Sequence, residues 1–214
     1  MSILDIALPP LSPETFFEVS ADVFKASVLP SGRSRKRFSL PDTSLLLDQE
    51  TFAVFYMSWD VSGISIDCQV QQPFSDCVYP KFDEGDGLEL FIDTRDLKTV
   101  GVVHRFCHQF LFLPVEVQGV KAVEITQFRG DDLHPLADPS ELVAKTVLEK
   151  KSYSFSIFLP KEVLHGYDPI GVPRLGFSYR LHRHKGEPQH FTLSTRACSI
   201  ERNPALWASL QLKE

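Results

Sequence analysis

The sequence predicts an all-β protein, an antiparallel β-sandwich of the jelly-roll type with one or two short helices. About ten segments alternate apolar with polar side chains, and turn residues separate them roughly every 8–15 positions. The 17 phenylalanines favour strands, and the 15 prolines favour irregular connections. The hydrophobic share of 43% and the charged share of 23% are typical of an ordinary folded domain.

One clear hairpin lies in the first third of the chain. Residues 52–60 and 64–71 are strand-like runs, and Gly63 between them gives the backbone the freedom that a tight turn needs. Both faces of the first run are largely apolar, so we expect this strand to be central and covered. Residues 1–37 are predicted to be an irregular N-terminal segment with a basic loop, and residues 38–47 an irregular strand.

The stretch Gly85–Pro114, GDGLELFIDTRDLKTVGVVHRFCHQFLFLP, predicts two strands around a polar loop. Residues 88–93 place side chains on two faces with the period of two that a strand shows. Residues 104–113 are rich in aromatic side chains, and Pro114 ends this run because it cannot continue a hydrogen-bond ladder. The stretch also concentrates carboxylates, arginines and histidines, which makes it the place to look for a site.

The remaining segments complete the strand count. Further strands are predicted at residues 120–128, 146–149, 153–159, 174–183, 189–194 and within 204–212. Residues 160–164, PKEVL, predict one helical turn with proline at its first position. No internal repeat or linker is visible, so residues 1–214 are predicted to form a single domain.

The net charge of −6 argues against nucleic acid as a partner, because phosphate binding needs a positive surface. The basic run Arg33–Arg37 is either a solvated loop or a patch for a phosphate or an acidic partner. No run approaches the length that crosses a membrane, and residues 1–13 lack the basic start and apolar core of a secretory signal. We therefore expect a cytoplasmic protein without a membrane partner.

The cysteines agree with that expectation. Cys68, Cys77, Cys107 and Cys198 are scattered and include no C-x-x-C pair. Cys68 and Cys107 lie in strand-like runs, where a thiol usually packs as a small hydrophobic group. We expect four reduced thiols, while a Cys68–Cys77 bridge stays open for a chain exported by an unconventional route.

Several motifs occur in an order that resembles a known family. They are FYMSWDVSGISIDCQV, DGLELFIDTRD, RFCHQFLFLP, YSFSIFLPKEVLHGYDP, PRLGFSYRLHR and NPALWASLQL. Over residues 38–212 the chain resembles the family 9-like carbohydrate-binding modules, a branch of the DOMON-like β-sandwich superfamily. The resemblance implies two packed antiparallel sheets, often with a sugar or haem site. Sugar-binding members hold one end of a saccharide between two aromatic side chains, with help from polar residues and in some cases structural calcium.

The tryptophans and the methionine depart from that pattern. Trp59 shares a predicted strand face with Phe55 and Met57, and Trp207 lies in the apolar terminal run, so both are predicted to pack in the core rather than clamp a sugar. Met57 is the only internal methionine, its neighbours are typical of a core, and no haem-attachment motif is present. No haem is therefore predicted.

The candidate ligand-binding residues lie on and around the strand His104–Gln109. Arg105 and Gln109 share a face of this strand. They could contact a polyol or a carboxylate, because arginine offers a planar fork of donors. A structural ion pair of Arg105 with Asp93 is the alternative. If the strand of Arg180 lies beside them, the two form a positively charged, pH-sensitive groove. The predicted set is Asp93, Arg95, His104, Arg105, His108, Gln109, Arg180 and His182.

Neither a metal site nor a catalytic residue is predicted. His104 and His108 would lie about 13–14 Å apart along a strand. A zinc site would therefore need partners from other strands, such as His182, His184 or His190. The acidic turn DEGDGLE does not have the pattern of a calcium loop, so calcium is conceivable but not indicated. The sequence has no nucleophile elbow, phosphate-binding glycine loop or zinc-hydrolase helix motif.

Two functions stay open. The first is a non-catalytic binding module that holds a carbohydrate or another small polar molecule in a groove near the His104–Gln109 strand. The second is a cytosolic structural or protein-interaction domain that has kept the sandwich and lost sugar binding. A hydrolase or metal enzyme is a third hypothesis with less support.

Overall fold

The computed structural model describes residues 19–192 and 199–214, and these residues contain eleven strands. The strands are β1 (Ser20–Lys25), β2 (Ala53–Asp60), β3 (Gly63–Val70), β4 (Gly87–Asp93), β5 (Cys107–Val117), β6 (Val120–Glu124), β7 (Val143–Leu148), β8 (Tyr153–Pro160), β9 (Arg174–His182), β10 (Gln189–His190) and β11 (Ala208–Lys213). One short helix, α1 (Ser44–Leu47), precedes β2. Turns of 3-10 helix occupy Gly32–Phe38, Phe82–Glu84, Pro139–Glu141, Lys161–Val163, Ile200–Arg202 and Pro204–Leu206. The predicted all-β class is confirmed.

All of these strands belong to one mixed sheet. Its order is β6-β5-β4-β9-β11-β1-β2-β3-β8-β7, with β10 beside β9. Residues 20–24 of β1 pair in parallel with residues 209–213 of β11, and the end of β1 pairs in parallel with β2. The purely antiparallel sandwich is therefore not confirmed. Residues 20–25, which we predicted to be irregular, enter the sheet as a parallel strand between the last strand and the first hairpin.

The two halves of the sheet face each other across the main core. β4, β5 and β9 form one wall, β2, β3 and β8 form the other, and β1 lies between the two halves in the strand order. Large buried side chains from both walls fill this core, among them Met57, Ile66, Phe110, Phe155 and Phe177. β6 and β7 end the strand order and contact each other, so the sheet nearly closes and leaves a seam.

The predicted hairpin is confirmed as β2 and β3, which pair from Ala53 with Val70 to Asp60 with Gly63. Gly63 has a φ of +153°, and a side chain there would overlap the carbonyl oxygen of Leu159 on β8. Glycine is therefore required by both the backbone conformation and the close approach of a neighbouring strand. β2 is central, as predicted, because β1 and β3 flank it.

β4 is buried on both faces, and this decides where the polar residues of the region lie. One face packs in the main core. On the other face, Phe91 belongs to a smaller core that also contains Val103, Cys107, Ile200, Leu206 and Trp207. Glu89 and Asp93 share that face with Phe91, because side chains alternate along a strand. Both carboxylates are consequently covered.

β5 differs from its predicted limits at both ends. It begins at Cys107, so His104 lies before the strand, and it continues through Pro114 to Val117. The register with β6 shifts after Phe112. Pro114 is tolerated because an irregular stretch of ladder does not need its missing N–H.

Three short segments between the main strands can be compared with their predicted structure. Residues 38–47 form the end of a 3-10 turn and α1 instead of an irregular strand, and the turn predicted at PKEVL is present as Lys161–Val163. The predicted strand 189–194 is reduced to the two residues of β10, and its last two positions lie outside the described residues.

The cysteines that can be described are free. Cys68, Cys77 and Cys107 are buried thiols, and Cys198 lies outside the described part of the chain. No bridge therefore joins Cys68 to Cys77 in this structure. Among the described residues, no helix is both long and apolar enough to cross a membrane.

Candidate ligand-binding site

Glu89, on the covered face of β4, is the centre of a first polar cluster. Gln109 donates from Nε2 to Glu89 Oε2 at 2.6 Å, and His182 Nε2 lies 2.7 Å from Oε1. Arg180 Nε lies 3.2 Å from the same Oε1, and its Nη2 donates to Glu201 at 2.8 Å. Burial raises the pKa of Glu89, but the His182 hydrogen bond and the Arg180 charge outweigh it and hold that pKa below its ordinary value. β4 lies between β5 and β9, so the strand of Arg180 is not directly beside the strand of Gln109. The Glu89 carboxylate offsets the positive charge that we predicted for a groove between them.

A second cluster surrounds Glu124 at the end of β6. His108 Nδ1 donates to Glu124 Oε1 at 2.9 Å, and His134 Nε2 lies 3.4 Å from the same oxygen. The Thr126 hydroxyl and the Ala137 backbone N–H each donate to this carboxylate at 2.7 Å. The side chains of His108 and Glu124 have no exposed surface. Burial raises the pKa of Glu124, but the hydrogen bond and charge of His108 keep it below its ordinary value.

A third cluster forms where β4 ends. Asp93 accepts from the backbone N–H groups of Arg95 at 2.9 Å and Leu97 at 2.7 Å, which fixes the turn after the strand. His104 Nε2 lies 3.6 Å from Asp93 Oδ2 and 3.4 Å from Cys107 Sγ. Burial and the Asp93 charge raise the pKa of Cys107 far above its ordinary value, so this thiol is not a thiolate nucleophile at neutral pH.

Arg95 and Arg105 lie at the rim of the molecule. Arg105 forms an ion pair with Asp132, and both side chains are 52% exposed. The alternative pair of Arg105 with Asp93 is therefore not formed. The half-buried Arg95 places its guanidinium 5.4 Å from the ring centroid of Phe106. These two arginines are the members of the predicted set best placed to meet a ligand from solvent.

Phe106, His165 and His134 form a row of stacked rings, called the ring row below. Phe106 and His165 are 5.6 Å apart between centroids and inclined by 19°, and His165 and His134 are 5.5 Å apart and inclined by 9°. Gly166 makes this possible, because its φ is +78° and a side chain there would meet the Phe106 ring. Thr94 donates to the carbonyl oxygen of His165 at 2.7 Å and joins the loops after β4 and β8.

An open pocket of about 330 Å³ lies beside the ring row and is called the acidic pocket below. It is lined by His134, Pro135, Leu136, Ala137, Asp138, Glu141, Glu162, Val163 and His165. Its three carboxylates, on Asp138, Glu141 and Glu162, are exposed. Burial lowers the pKa of His134 and of His165, so both rings are neutral at pH 7. The pocket therefore combines neutral rings with anionic acceptors.

A second groove, of about 340 Å³, lies away from these residues on the outer face of β3, β8 and β7. Its lining includes Ser65, Asp67, Lys145, Ser156 and Phe158. This groove contains none of the predicted site residues, so a substitution in it can serve as a control for substitutions at the predicted site.

Both tryptophans belong to the core, as predicted. Trp59 is 2% exposed and Trp207 is 1% exposed. The indole N–H of Trp59 is shared between the carbonyl oxygens of Val23 and Lys213, and that of Trp207 donates to Ile200 at 2.8 Å. Neither indole can stack on a sugar.

The carboxylate of Asp86, in the acidic turn, has a structural role. It accepts from the backbone N–H groups of Ser75 at 2.7 Å, Asp76 at 3.3 Å and His184 at 2.9 Å. Its oxygens thus tie the loop before β4 to the turn after β9. This side chain is occupied by backbone donors rather than arranged with other carboxylates.

Sequence reasoning missed Glu124, His134 and His165. His134 and His165 lie in loops, where no periodicity indicates which way a side chain points. Glu124 ends an ordinary strand, and its burial depends on a loop that folds over it. The only available signals were the histidines themselves in the segments LHPLADP and LHGYDP.

No protein-family model matches the chain, and no curated protein matches it. Solved structures do match. A carbohydrate-binding module of family 9 from Caldicellulosiruptor kristjanssonii in complex with cellotriose has a TM-score of 0.61 at 15% identity, over 91% of this chain and 94% of that chain. A family 9 module from the same organism in complex with glucose has a TM-score of 0.60 at 15% identity, over 91% and 96%. A candidate carbohydrate-binding protein from Bacteroides uniformis has a TM-score of 0.55 at 10% identity, over 91% and 99%.

These matches confirm, at the level of the fold, the resemblance that the motifs indicated. The chain has the fold of family 9 carbohydrate-binding modules over nine tenths of its length. Sequence identities of 10–15% establish a similar fold and do not establish a shared ligand.

Proposed function

We propose that the protein is a non-catalytic binding domain that takes a saccharide at the ring row and the acidic pocket. The observation that carries this proposal is a partly exposed ring, Phe106, placed between an arginine rim and a pocket lined by carboxylates. Sugars have apolar C–H faces that pack on rings and hydroxyls that both donate and accept. The fold shared with modules solved in complex with cellotriose and glucose supports the same ligand class.

The side chains divide into two roles in this proposal. Glu141 and Glu162 accept hydrogen bonds from sugar hydroxyls, Arg105 donates to them, and the ring row supplies the apolar wall. Arg95 belongs to the rim beside Phe106, and the other six predicted residues hold the loops in place from below through the three buried clusters. Those are Asp93, His104, His108, Gln109, Arg180 and His182.

Calorimetry with cellotriose, glucose and the best ligands of a glycan array tests the proposal. We expect a saccharide to bind with a Kd below about 1 mM. Arg105→Ala and Glu162→Gln should each weaken it roughly tenfold, because each removes one charge-assisted hydrogen bond. Lys145→Ala, in the second groove, is the matched control and should change nothing. Absence of any saccharide binding at millimolar concentration would overturn the proposal, and loss of binding in Lys145→Ala alone would move the site to the second groove.

The second candidate function is a cytosolic protein-interaction domain. One observation favours it: β7 ends the strand order and exposes Val143, Val147 and Leu148. Free, buried cysteines are also compatible with a reducing compartment. Affinity purification from native extract tests this function with wild-type protein and with Val147→Lys. A partner that is lost with Val147→Lys supports it, and a protein that purifies alone counts against it.

A further inference from the structure

Two groups of buried ligand atoms come together in residues 19–192, namely Asp93, His104 and Cys107, and His108, Glu124 and His134. We propose that the second group binds one divalent transition-metal ion of the zinc class. Each of its residues offers one nitrogen or oxygen atom, and the three atoms lie within 4.8 Å of one another. Ligands about 2.0–2.2 Å from a tetrahedral zinc ion lie roughly 3.3–3.5 Å apart. The distance from His134 Nε2 to Glu124 Oε1 is 3.4 Å.

His108 leaves one ring nitrogen without a partner. Its Nδ1 donates to Glu124, while its Nε2 is buried and has no hydrogen bond to any described residue. His108 offers Nδ1 to the proposed site, and an ion bound there would replace the proton that Nδ1 donates to Glu124. That proton can move to Nε2 without breaking a hydrogen bond, because Nε2 has none to a described residue.

Both ring nitrogens of His134 face oxygen atoms. Its Nδ1 lies 3.0 Å from the carbonyl oxygen of Pro135, and its Nε2 lies 3.2 Å from that of Cys107 and 3.4 Å from Glu124 Oε1. A neutral imidazole carries only one N–H. When Nδ1 donates to Pro135, Nε2 faces two oxygen atoms with no proton between them, and when Nε2 carries the proton, Nδ1 faces the Pro135 oxygen without one. A metal ion at this point would turn an unfavourable contact between lone pairs into coordination.

The acidic pocket supplies an entry path. His134 lines both the buried cluster and the pocket. The exposed carboxylates of Asp138, Glu141 and Glu162 stand around the opening. Carboxylates in a cleft raise the local concentration of cations, and a buried metal site needs such a route from solvent.

The donor atoms indicate the kind of ion. Two imidazoles and one carboxylate suit zinc and neighbouring first-row metals, whereas calcium prefers six to eight oxygen ligands. Metal binding here does not depend on a saccharide, so its test needs none.

The first group is a weaker candidate for structural reasons. The Phe106 N–H donates to His104 Nδ1 at 3.3 Å, which places the imidazole proton on Nε2. That Nε2 faces Asp93 and Cys107. A metal there would displace the proton and force Nδ1 to give up its backbone bond. His104 therefore provides a matched control.

The experiment uses the untagged full chain, stripped with a chelator and titrated with Zn²⁺ alone by calorimetry. We expect one ion per chain with a Kd below about 1 µM. We also expect a higher Tm with Zn²⁺ than with Ca²⁺, because a ligand that binds only the folded state stabilises it. Co²⁺ should give the visible absorption of a four-coordinate ion.

The variants locate the ion. Glu124→Gln and His134→Gln should each weaken Zn²⁺ binding at least 100-fold, and His104→Gln should leave it within threefold. Should either of the first two fail to fold, anomalous diffraction from Zn²⁺-soaked crystals of the wild type locates the ion directly. Absence of Zn²⁺ binding at 100 µM, stronger binding of Ca²⁺, or loss of binding in His104→Gln alone would overturn the site.

Discussion

At the scale of single residues, Gln189 shows how one side chain can replace a stretch of strand. Its Oε1 accepts from the backbone N–H groups of Phe52 and Ala53, at 2.8 and 2.9 Å. Its Nε2 donates to the Ala53 carbonyl at 3.0 Å and to the Tyr179 hydroxyl at 2.9 Å. Gln189→Ala should lower the free energy of unfolding by about 3 kcal/mol, because it leaves buried backbone groups unsatisfied. Urea denaturation measures this, with the exposed Gln71→Ala as a control that should stay within about 0.5 kcal/mol.

The neighbouring His190 predicts a pH dependence. Burial and the charges of Arg180 and His182 lower the pKa of His190 to about 3, although Glu89 opposes this. The unfolded chain titrates near pH 6.5 and binds a proton that the folded state does not. The contribution of His190 to the free energy of unfolding is therefore fully present above pH 6.5 and is lost as the pH falls. The loss is about 2 kcal/mol between pH 6.5 and 5.

Urea denaturation of wild type and His190→Gln at pH 7.5, 6.0 and 5.0 checks this sign and size. The variant should be less sensitive to acid over this range. An equal pH slope in both proteins would show that His190 does not titrate as described.

At the scale of elements, the β2–β3 hairpin depends on its glycine. Gly63→Ala should cost on the order of 3 kcal/mol, because the new methyl group meets the Leu159 carbonyl in an already strained conformation. Gly130 is a matched control, since its φ of +154° is nearly the same and nothing lies within 4 Å. Gly130→Ala should cost only about 1 kcal/mol. Equal costs in thermal or urea unfolding would mean that backbone conformation alone accounts for the effect at Gly63.

Elements also mark the limit of what the sequence could predict. Period-two patterns predicted the hairpin and β4, because those strands fix their own two faces locally. β1 was not predicted, because its six residues form a strand only where they pair with β11. Polar residues such as Gln109 and His182 were expected near a groove because their pattern resembles an exposed face. Both side chains instead bond to the buried carboxylate of Glu89 on β4, and this long-range packing has no local signature.

At the scale of the whole molecule, β1 connects the two halves of the sheet. Val23 of β1 is 1% exposed in the main core. Val23→Ala should lower the free energy of unfolding by roughly 2 kcal/mol. Tryptophan fluorescence and far-UV circular dichroism should report the same shift, because both halves unfold together. Val147→Ala, at an exposed position of β7, should change little. Two separate transitions in Val23→Ala would mean that the halves are independent.

The parallel pair of β1 and β11 also has a consequence for synthesis. Ser20 is synthesised long before its partner Ser209. Most of β1 can therefore find its place only after β11 has been synthesised, and the edges that it joins stay open until then. Pairings of such long sequence separation close slowly, typically in milliseconds to seconds for all-β domains. We expect refolding to be slow and to be assisted by chaperones that protect unpaired strand edges.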